Sequence, residues 1–227
     1  MTELAHAWHP GTRVGRVRAS HSYGLVLALI VVSFVFISVA PDSAWADSVL
    51  LLLQSVTLVT ALWTSGVART DSTLSLSLIA LSSLAALALL VFGGNGFDSA
   101  VGILSGVVTV ATIGTIALGV VDQGEANIRA VTGAVCVYVL IGLLFVFLYG
   151  VLAKLGSGDF FAQGTDGTRS LRLYFSFVTL ATLGYGDYTP AGSLGRTLAI
   201  VEALAGQLYL VTVIAVLVSR MQGRSPK

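Results

Sequence analysis

The chain has 227 residues, of which 56% are hydrophobic and 10% are charged, and its mean hydropathy is +0.91. Because a soluble globular domain carries about 25% charged residues, this composition predicts an integral membrane protein. The net charge of +1 comes without a clustered basic tract, which argues against a nucleic-acid partner, and the single cysteine, Cys136, excludes an intrachain disulfide.

Residues 1–21 precede the first apolar run and predict a cytoplasmic amino-terminal tail. They contain three arginines and all three histidines, but the histidines share no helical face and no thiol or carboxylate cluster joins them, so we expect no metal site. The uncharged run 23–40 then predicts the first membrane span. Ala44-Trp45-Ala46 resembles a signal-peptidase site, yet the apolar run exceeds the usual leader core, so we expect no cleavage.

Three further spans are predicted over residues 47–67, 73–92 and 99–121, which completes a four-helix membrane domain over residues 22–121. The serines of the third span and the Gly102-x-x-x-Gly106 pair of the fourth favour close helix packing over a serine-lined path. A voltage-sensing helix needs several basic residues, and the fourth span has no lysine or arginine. We therefore expect no sensing of the S4 type.

The remaining chain predicts two more spans on either side of a segment that is too short to cross. This segment, about residues 170–182, has about a dozen residues and predicts a re-entrant half-helix. We interpret Cys136, in the fifth span, as a small packing residue. The fold class is therefore all-α, with six transmembrane helices and one half-helix. The predicted boundaries are a linker at 122–129, a fifth span at 130–153, a glycine-rich loop at 154–168, a last span at 194–219 and a cytoplasmic tail at 220–227.

The basic residues predict the orientation of these spans. With six spans and both termini cytoplasmic, eight lysines and arginines lie inside and four lie outside, which agrees with the positive-inside rule. The half-helix therefore enters from the outer side of the cell membrane. The outer residues are Lys154, Arg169, Arg172 and Arg196; the inner ones are Arg13, Arg16, Arg18, Arg69, Arg129, Arg220, Arg224 and Lys227.

After the half-helix the sequence reads Thr179-Leu-Ala-Thr182-Leu183-Gly184-Tyr185-Gly186-Asp187. Glycine weakens helices, and non-helical backbone at membrane depth persists only where protein buries it or where it lines a watery path. This stretch resembles the signature and selectivity filter of the potassium channel superfamily. The resemblance covers about residues 130–219, as a pore domain of outer helix, pore helix, filter and inner helix.

The resemblance implies a homotetrameric channel that conducts K⁺ passively, with no catalytic residue and no cofactor besides the permeant ion. The filter would comprise Thr182, Leu183, Gly184, Tyr185 and Gly186, with K⁺ bound by the carbonyls of the first four and by the Thr182 hydroxyl. The chain departs from the family pattern at two positions. Leu183 replaces a usual β-branched residue and Ala181 replaces a frequent second threonine, which indicates looser packing behind the filter.

Filter support is expected from Tyr174, Thr179, Asp187 and Glu202. By resemblance, Tyr174 and Asp187 form a hydrogen bond at the outer end of the filter; the alternative is that Asp187 is a solvated carboxylate at the mouth. Glu202 is a carboxylate inside a span, which predicts either a functional or a paired group. We expect it to pack behind the half-helix and bond a hydroxyl or backbone group, and the alternative is a pore-facing acid.

The inner helix is expected to supply a hinge and a cavity. Gly206 aligns with the hinge glycine of the family, although a packing glycine is the alternative. A second group shares one helical face, which we assign to the cavity, with its last two members as an apolar gate that closes by dewetting. This group is Gln207, Leu210, Ile214 and Val218.

Two other functions fit parts of the sequence. Gly184-Tyr185-Gly186-Asp187 matches the Gly-x-Gly-Asp pattern of intramembrane aspartyl proteases, but acid proteolysis needs two carboxylates and no second aspartate lies inside a predicted span. A non-selective cation channel or a regulatory pore subunit is the closer alternative. Membrane lipids are expected partners, and we expect no soluble regulatory domain after the inner helix. Filter gating, pH, lipid and tension are all open as stimuli.

Overall fold

The computed structural model describes residues 23–65, 98–122 and 128–222, together with the isolated positions 77, 80, 83 and 84. The predicted tail at 1–21 lies outside the described residues, as do the predicted third span at 73–92, apart from those four positions, and most of the linker at 122–129. The division of the chain into domains stays a prediction.

The described residues form six helices and no strand. Two isolated bridges pair Phe161 with Thr165 and with Pro190, in the segment between α4 and α6. The helices are α1 Gly24–Val39, α2 Ala44–Ser65, α3 Asp98–Asp122, α4 Ile128–Leu155, α5 Arg169–Leu180 and α6 Ser193–Gln222.

Four of these helices are long and apolar enough to cross a membrane: α2, α3, α4 and α6. The part of the chain that the structure describes is therefore all-helical and has the apolar helices of a membrane protein, and the six-span count stays a prediction. Helix α1 has 16 residues, or about 24 Å, and Ala40 leaves the helix with extended backbone just before Pro41. Helix α6 continues to Gln222, so the predicted tail starts a few residues later than expected.

Helix α4 lies at the centre, in contact with α1 and α3 as well as with α5 and α6. A Cβ atom on Gly102 of α3 would lie 3.0 Å from Val151 Cγ2 of α4, and one on Gly142 of α4 would lie 2.7 Å from Phe177 Cζ of α5. Small residues thus bring the helices together, as the sequence predicted for Gly102. Cys136 of α4 is fully buried, which confirms its packing role.

Helix α5 is the predicted half-helix. It has 12 residues, begins after Thr168, whose hydroxyl accepts a hydrogen bond from the Leu171 N–H, and ends at Leu180 instead of Thr182. Phe34 of α1 meets Phe177 of α5 edge to face, with ring centroids 5.0 Å apart. The half-helix is therefore held between α1, α4 and α6.

Helix α6 is largely uncovered in the single chain. Only 11% of its apolar window, Ser193–Val216, is buried, against 50% of the window in α4. The exposed apolar side chains include Ile200, Leu204, Leu208 and Val211. This surface is large and apolar in a helix that contacts only α4 and α5 extensively.

Candidate functional site

The predicted filter is a non-helical segment, residues 182–187, that follows α5 directly and is exposed in the single chain. It begins by folding back on the last turn of α5. The N–H of Thr182 donates to the Thr179 carbonyl at 2.9 Å, and the N–H of Leu183 donates to the Val178 carbonyl at 2.9 Å. Thr179, assigned to filter support, therefore fixes the start of the segment through its backbone.

The sign of φ alternates along this segment. Thr182, Gly184 and Gly186 have φ of 56°, 58° and 77°, whereas Leu183 and Tyr185 have negative φ. Alternating right- and left-handed residues turn successive peptide groups to the same side. A Cβ atom at Gly184 or Gly186 would meet nothing within 4 Å, so glycine is required there by conformation and not by space.

The backbone of Thr182 is strained, which no pattern in the sequence predicted. A β-branched residue with positive φ is a conformational outlier that costs about 1–3 kcal/mol. It ends the helix where a continued helix was expected, which explains the boundary at Leu180. The strain lies at the first residue of the predicted filter.

The outer end of the segment is braced by side chains. The Tyr174 hydroxyl donates to Asp187 Oδ2 at 2.7 Å, and this bond raises the pKa of Tyr174 to about 12. The rings of Tyr174 and Tyr185 stack, with centroids 6.4 Å apart. Gln163, which was not predicted, donates from Nε2 to the Asp187 carbonyl at 2.8 Å. Asp187 is thus a bonded group and not only a solvated carboxylate.

Glu202 of α6 lies fully buried behind the half-helix. Its Oε2 is 2.5 Å from the Tyr149 hydroxyl of α4, and its Oε1 is 2.5 Å from Ser176 Oγ of α5. Ser176 Oγ is also 2.8 Å from the Gly142 carbonyl of α4. One carboxyl group therefore joins three helices, and its complete burial disagrees with the pore-facing alternative.

The number of protons that this cluster can share indicates the protonation state of Glu202. A hydroxyl has a single proton, so Ser176 cannot donate to both of its oxygen neighbours. All three contacts are satisfied when Glu202 carries a proton and donates it to Ser176, Ser176 donates to Gly142, and Tyr149 donates to Glu202. We infer that Glu202 is a neutral hydrogen-bonding group, which also avoids the cost of an ion in the membrane.

Gly206 marks a close approach of α6 to the end of α5. A Cβ atom there would lie 2.5 Å from the Leu180 carbonyl oxygen and 2.8 Å from Leu180 Cδ1. These contacts favour the packing interpretation of Gly206. The next residue of α6, Gln207, reaches the first residue of the predicted filter: its Nε2 lies 3.5 Å from Thr182 Oγ1.

The structure describes the side chains of Leu210 and Ile214, two of the residues on the proposed cavity face of α6. Leu210 and Ile214 are exposed, at 40% and 58%. Val218 lies in the helix, but its side chain is outside the described residues. Leu210 and Ile214 thus belong to the open surface of the single chain, and the gate assigned to Ile214 and Val218 stays a prediction.

Comparison with known proteins agrees with this geometry. The family described as "Ion channel" matches residues 135–223, which contain the half-helix, the filter segment and α6. The inward rectifier potassium channel Kirbac3.1 of Paramagnetospirillum magnetotacticum is 32% identical over 45% of this chain. The probable potassium channel protein 2 of Methanocaldococcus jannaschii is 50% identical over 19% of it. Residues 135–223 therefore match an ion channel family, and parts of the chain are similar to potassium channels.

The chain spans only part of these relatives. The aligned regions cover 35% of the first potassium channel and 13% of the second. No solved structure is a significant match. The family match therefore concerns residues 135–223 alone.

The start of the half-helix carries a network that sequence reasoning missed. The backbone N–H of Arg169 donates to Asp42 Oδ2 at 3.0 Å, and its guanidinium pairs with Asp47 of α2. Asp42 thus places a negative charge at the amino end of α5, where the helix dipole is positive. The available signal in the sequence was the charged residues Asp42 and Asp47, near Pro41, and Arg169 at the predicted start of the half-helix. Their pairing could not be predicted, because Arg169 is 127 and 122 residues away from its two partners in the sequence.

An aromatic cluster beside the filter was also missed. Tyr149, Phe160, Phe161 and Phe175 pack with ring centroids 4.8 to 6.3 Å apart. The cluster joins α4, α5 and the loop between them, and it includes the ring of Tyr149, whose hydroxyl bonds Glu202. Only the high aromatic content of the segment before the filter could have signalled it.

Proposed function

We propose that the protein is a potassium-selective channel that conducts K⁺ passively across the cell membrane. The observation that carries the proposal is the alternation of φ from Thr182 to Gly186, within the sequence Thr-Leu-Gly-Tyr-Gly at the end of a half-helix. This backbone presents successive carbonyls to one side, and stacked carbonyl rings replace the hydration shell of K⁺.

Four copies of the chain form the pore in this proposal. Residues 182–187 are exposed in the single chain and α6 is mostly uncovered, although lipid does not tolerate irregular backbone. A homotetramer around a central axis would enclose the four filter strands and cover the apolar surface of α6. Six spans and cytoplasmic termini would set the filter at the outer side.

Each pore residue has a role in this mechanism. The carbonyls of Thr182, Leu183, Gly184 and Tyr185, with the Thr182 hydroxyl, coordinate K⁺. The carboxyl end of α5 directs its negative dipole towards a hydrated cation below the filter. The bond from Tyr174 to Asp187 holds the outer end of the filter.

The inner helix completes the pathway. Glu202 ties α6 to the back of the half-helix, and Gly206 seats α6 against the end of α5. Gln207 and Leu210 line the cavity, while Ile214 and Val218 form its apolar gate. Described helices α1, α2 and α3 contain no lysine or arginine, so the proposed channel has no S4-type sensor in that part of the chain.

Ion flux into liposomes tests the proposal. The purified full chain is expected to carry K⁺ or Rb⁺ down a gradient and to exclude Na⁺. Gly184→Ala should abolish selective flux, because a Cβ at positive φ costs about 1–2 kcal/mol in each subunit. Gly192→Ala is the matched control, since that glycine lacks positive φ and a Cβ there meets nothing within 4 Å. Absence of K⁺ flux in the wild type would overturn the proposal.

A non-selective cation channel is the second candidate, and Leu183 is the observation that favours it. Its side chain is 57% exposed in the single chain, at the position that the family gives to a β-branched residue. Equal K⁺ and Na⁺ flux would establish this alternative. The protease reading has less support, since Asp187 is engaged with Tyr174 and the superfamily is one of transport proteins.

A further inference from the structure

A cavity of about 320 Å³ lies at the start of the half-helix, away from the proposed ion path. The α1–α2 turn, α3, α4 and the beginning of α5 enclose it. Its lining includes the polar residues Ser43, Arg169 and Arg172 and the apolar residues Leu50 and Val101. Its volume far exceeds the roughly 10–15 Å³ needed for a single water.

Two guanidinium groups face this cavity with unused donors. Arg169 is only 9% exposed, and its Nη1 is buried without a hydrogen-bond partner. Arg172 donates from Nη1 to the carbonyls of Asp166 and Gly167, at 3.1 and 2.7 Å, while its Nε is buried without a partner. The Ser43 hydroxyl is a third buried, unpartnered group.

The surrounding carboxylates are already engaged. Asp42 and Asp47 bond Arg169, and Asp166 accepts a hydrogen bond from the Phe160 N–H at 3.0 Å. Among the described residues, no carboxylate lies within salt-bridge distance of Arg172. Burial lowers the pKa of the Arg172 guanidinium, and attraction from Asp42 partly offsets this effect.

A buried cation bonded only to neutral carbonyls is an incomplete arrangement, because buried charges are normally paired. Nε and a terminal nitrogen of a guanidinium form the planar fork that matches tetrahedral oxyanions. Gly150 of α4 lies close to this fork, since a Cβ there would lie 3.4 Å from Arg172 Nε.

We propose that this cavity binds a phosphate-type oxyanion, whose oxygens accept hydrogen bonds from Arg169 Nη1, Arg172 Nε and the Ser43 hydroxyl. The phosphate has two possible sources: a free ion from the outer solution, or the phosphodiester of a membrane lipid. In the second case the glycerol and first methylenes lie along the apolar wall at Leu50 and Val101. The site is independent of the ion that the pore conducts.

Calorimetric titration of the full chain in mild detergent tests the site. The probes are inorganic phosphate at constant ionic strength, dihexanoyl phosphatidylglycerol, and dihexanoyl glycerol, which has the same chains without phosphate. Saturable binding of at least one phosphate probe and none of dihexanoyl glycerol is expected. Arg172→Gln should weaken that binding about tenfold or more, as expected for a lost charge-assisted hydrogen bond.

Arg196→Gln is the matched control. Its Nε donates to the Pro190 carbonyl at 3.0 Å outside the cavity, so binding should not change. Phosphate binding that competes with the lipid identifies a free oxyanion as a ligand, whereas binding of the lipid alone identifies the headgroup. The proposal is overturned if neither phosphate probe binds the wild type saturably. It is overturned equally if Arg172→Gln, with an unchanged size-exclusion profile, binds as the wild type does.

Discussion

Glu202 links α4, α5 and α6, and its substitutions separate a neutral hydrogen-bonding role from an ionic one. Glu202→Gln keeps the size of the side chain, an acceptor for the Tyr149 hydroxyl and a donor for Ser176. Glu202→Ala removes both contacts, each 2.5 Å long, and leaves the buried Tyr149 hydroxyl without a partner, while Ser176 keeps its bond to the Gly142 carbonyl. The two variants therefore differ in hydrogen bonding, while both lack the carboxyl group.

We expect Glu202→Ala to lower the free energy of unfolding by about 1–4 kcal/mol. The lower bound is the loss of two interhelical hydrogen bonds at their membrane average of about 0.6 kcal/mol each, and the upper bound adds up to about 3 kcal/mol for one buried hydroxyl left without a partner. Glu202→Gln should cost less than about 1 kcal/mol, because an amide can repeat the hydrogen-bond pattern of a protonated acid.

Unfolding by SDS titration in mild detergent measures these differences, and K⁺ flux into liposomes measures their effect on the filter. Thr197→Ala serves as the control for stability, since this exposed position lies on the same helix and its hydroxyl bonds a carbonyl of that helix. Flux should survive in Glu202→Gln and fall in Glu202→Ala. If Glu202→Gln is as destabilised as Glu202→Ala, the carboxylate is needed as an ion and the neutral assignment is wrong.

Three further predictions concern the groups around the filter. Gly206→Ala should destabilise the protein by about 1–3 kcal/mol in SDS unfolding, because the added methyl group overpacks against the end of α5. A variant as stable as the wild type would show that α6 can move away from α5 at no cost in free energy. Tyr174→Phe should make K⁺ flux decay faster with time, because it removes the hydrogen bond to Asp187. The increase in decay rate should be the same at pH 7 and pH 9, since the pKa of Tyr174 in the folded protein is about 12 and its hydroxyl donates to Asp187 until the pH rises through that value. Unchanged flux decay would remove the brace from the mechanism. Asp42→Asn should cost about 0.5–2 kcal/mol by weakening the cap at Arg169, with Asp159→Asn as the control.

Much of the fold follows from local sequence. Length and apolarity predicted the described helices to within a few residues, because a span is a property of a contiguous segment. The lone carboxylate Glu202 predicted its own burial behind the half-helix, since an unpaired charge in a membrane is costly. Gly184 and Gly186 predicted that the segment after the half-helix would not be helical, because glycine weakens helices.

The missing parts depend on distant contacts or on backbone strain. The bond from Asp42 to Arg169 spans 127 residues, and no local pattern joins them. In the sequence, Tyr149 and Ser176 are residues of apolar segments with no recognisable partner. Their bonds to Glu202 became visible only because α4 and α5 meet at that residue. Thr182 adopts positive φ against its own preference, so its conformation comes from the surrounding fold and not from its residue type.

In the proposed tetramer, one damaged copy of the gene would be dominant. Each chain would contribute one filter segment, so a single Gly184→Ala subunit would spoil every assembly that it enters. With equal co-expression and random mixing, about one sixteenth of tetramers would be entirely wild type, against about one quarter of dimers. The residual K⁺ flux from such a mixture therefore counts the subunits around the pore.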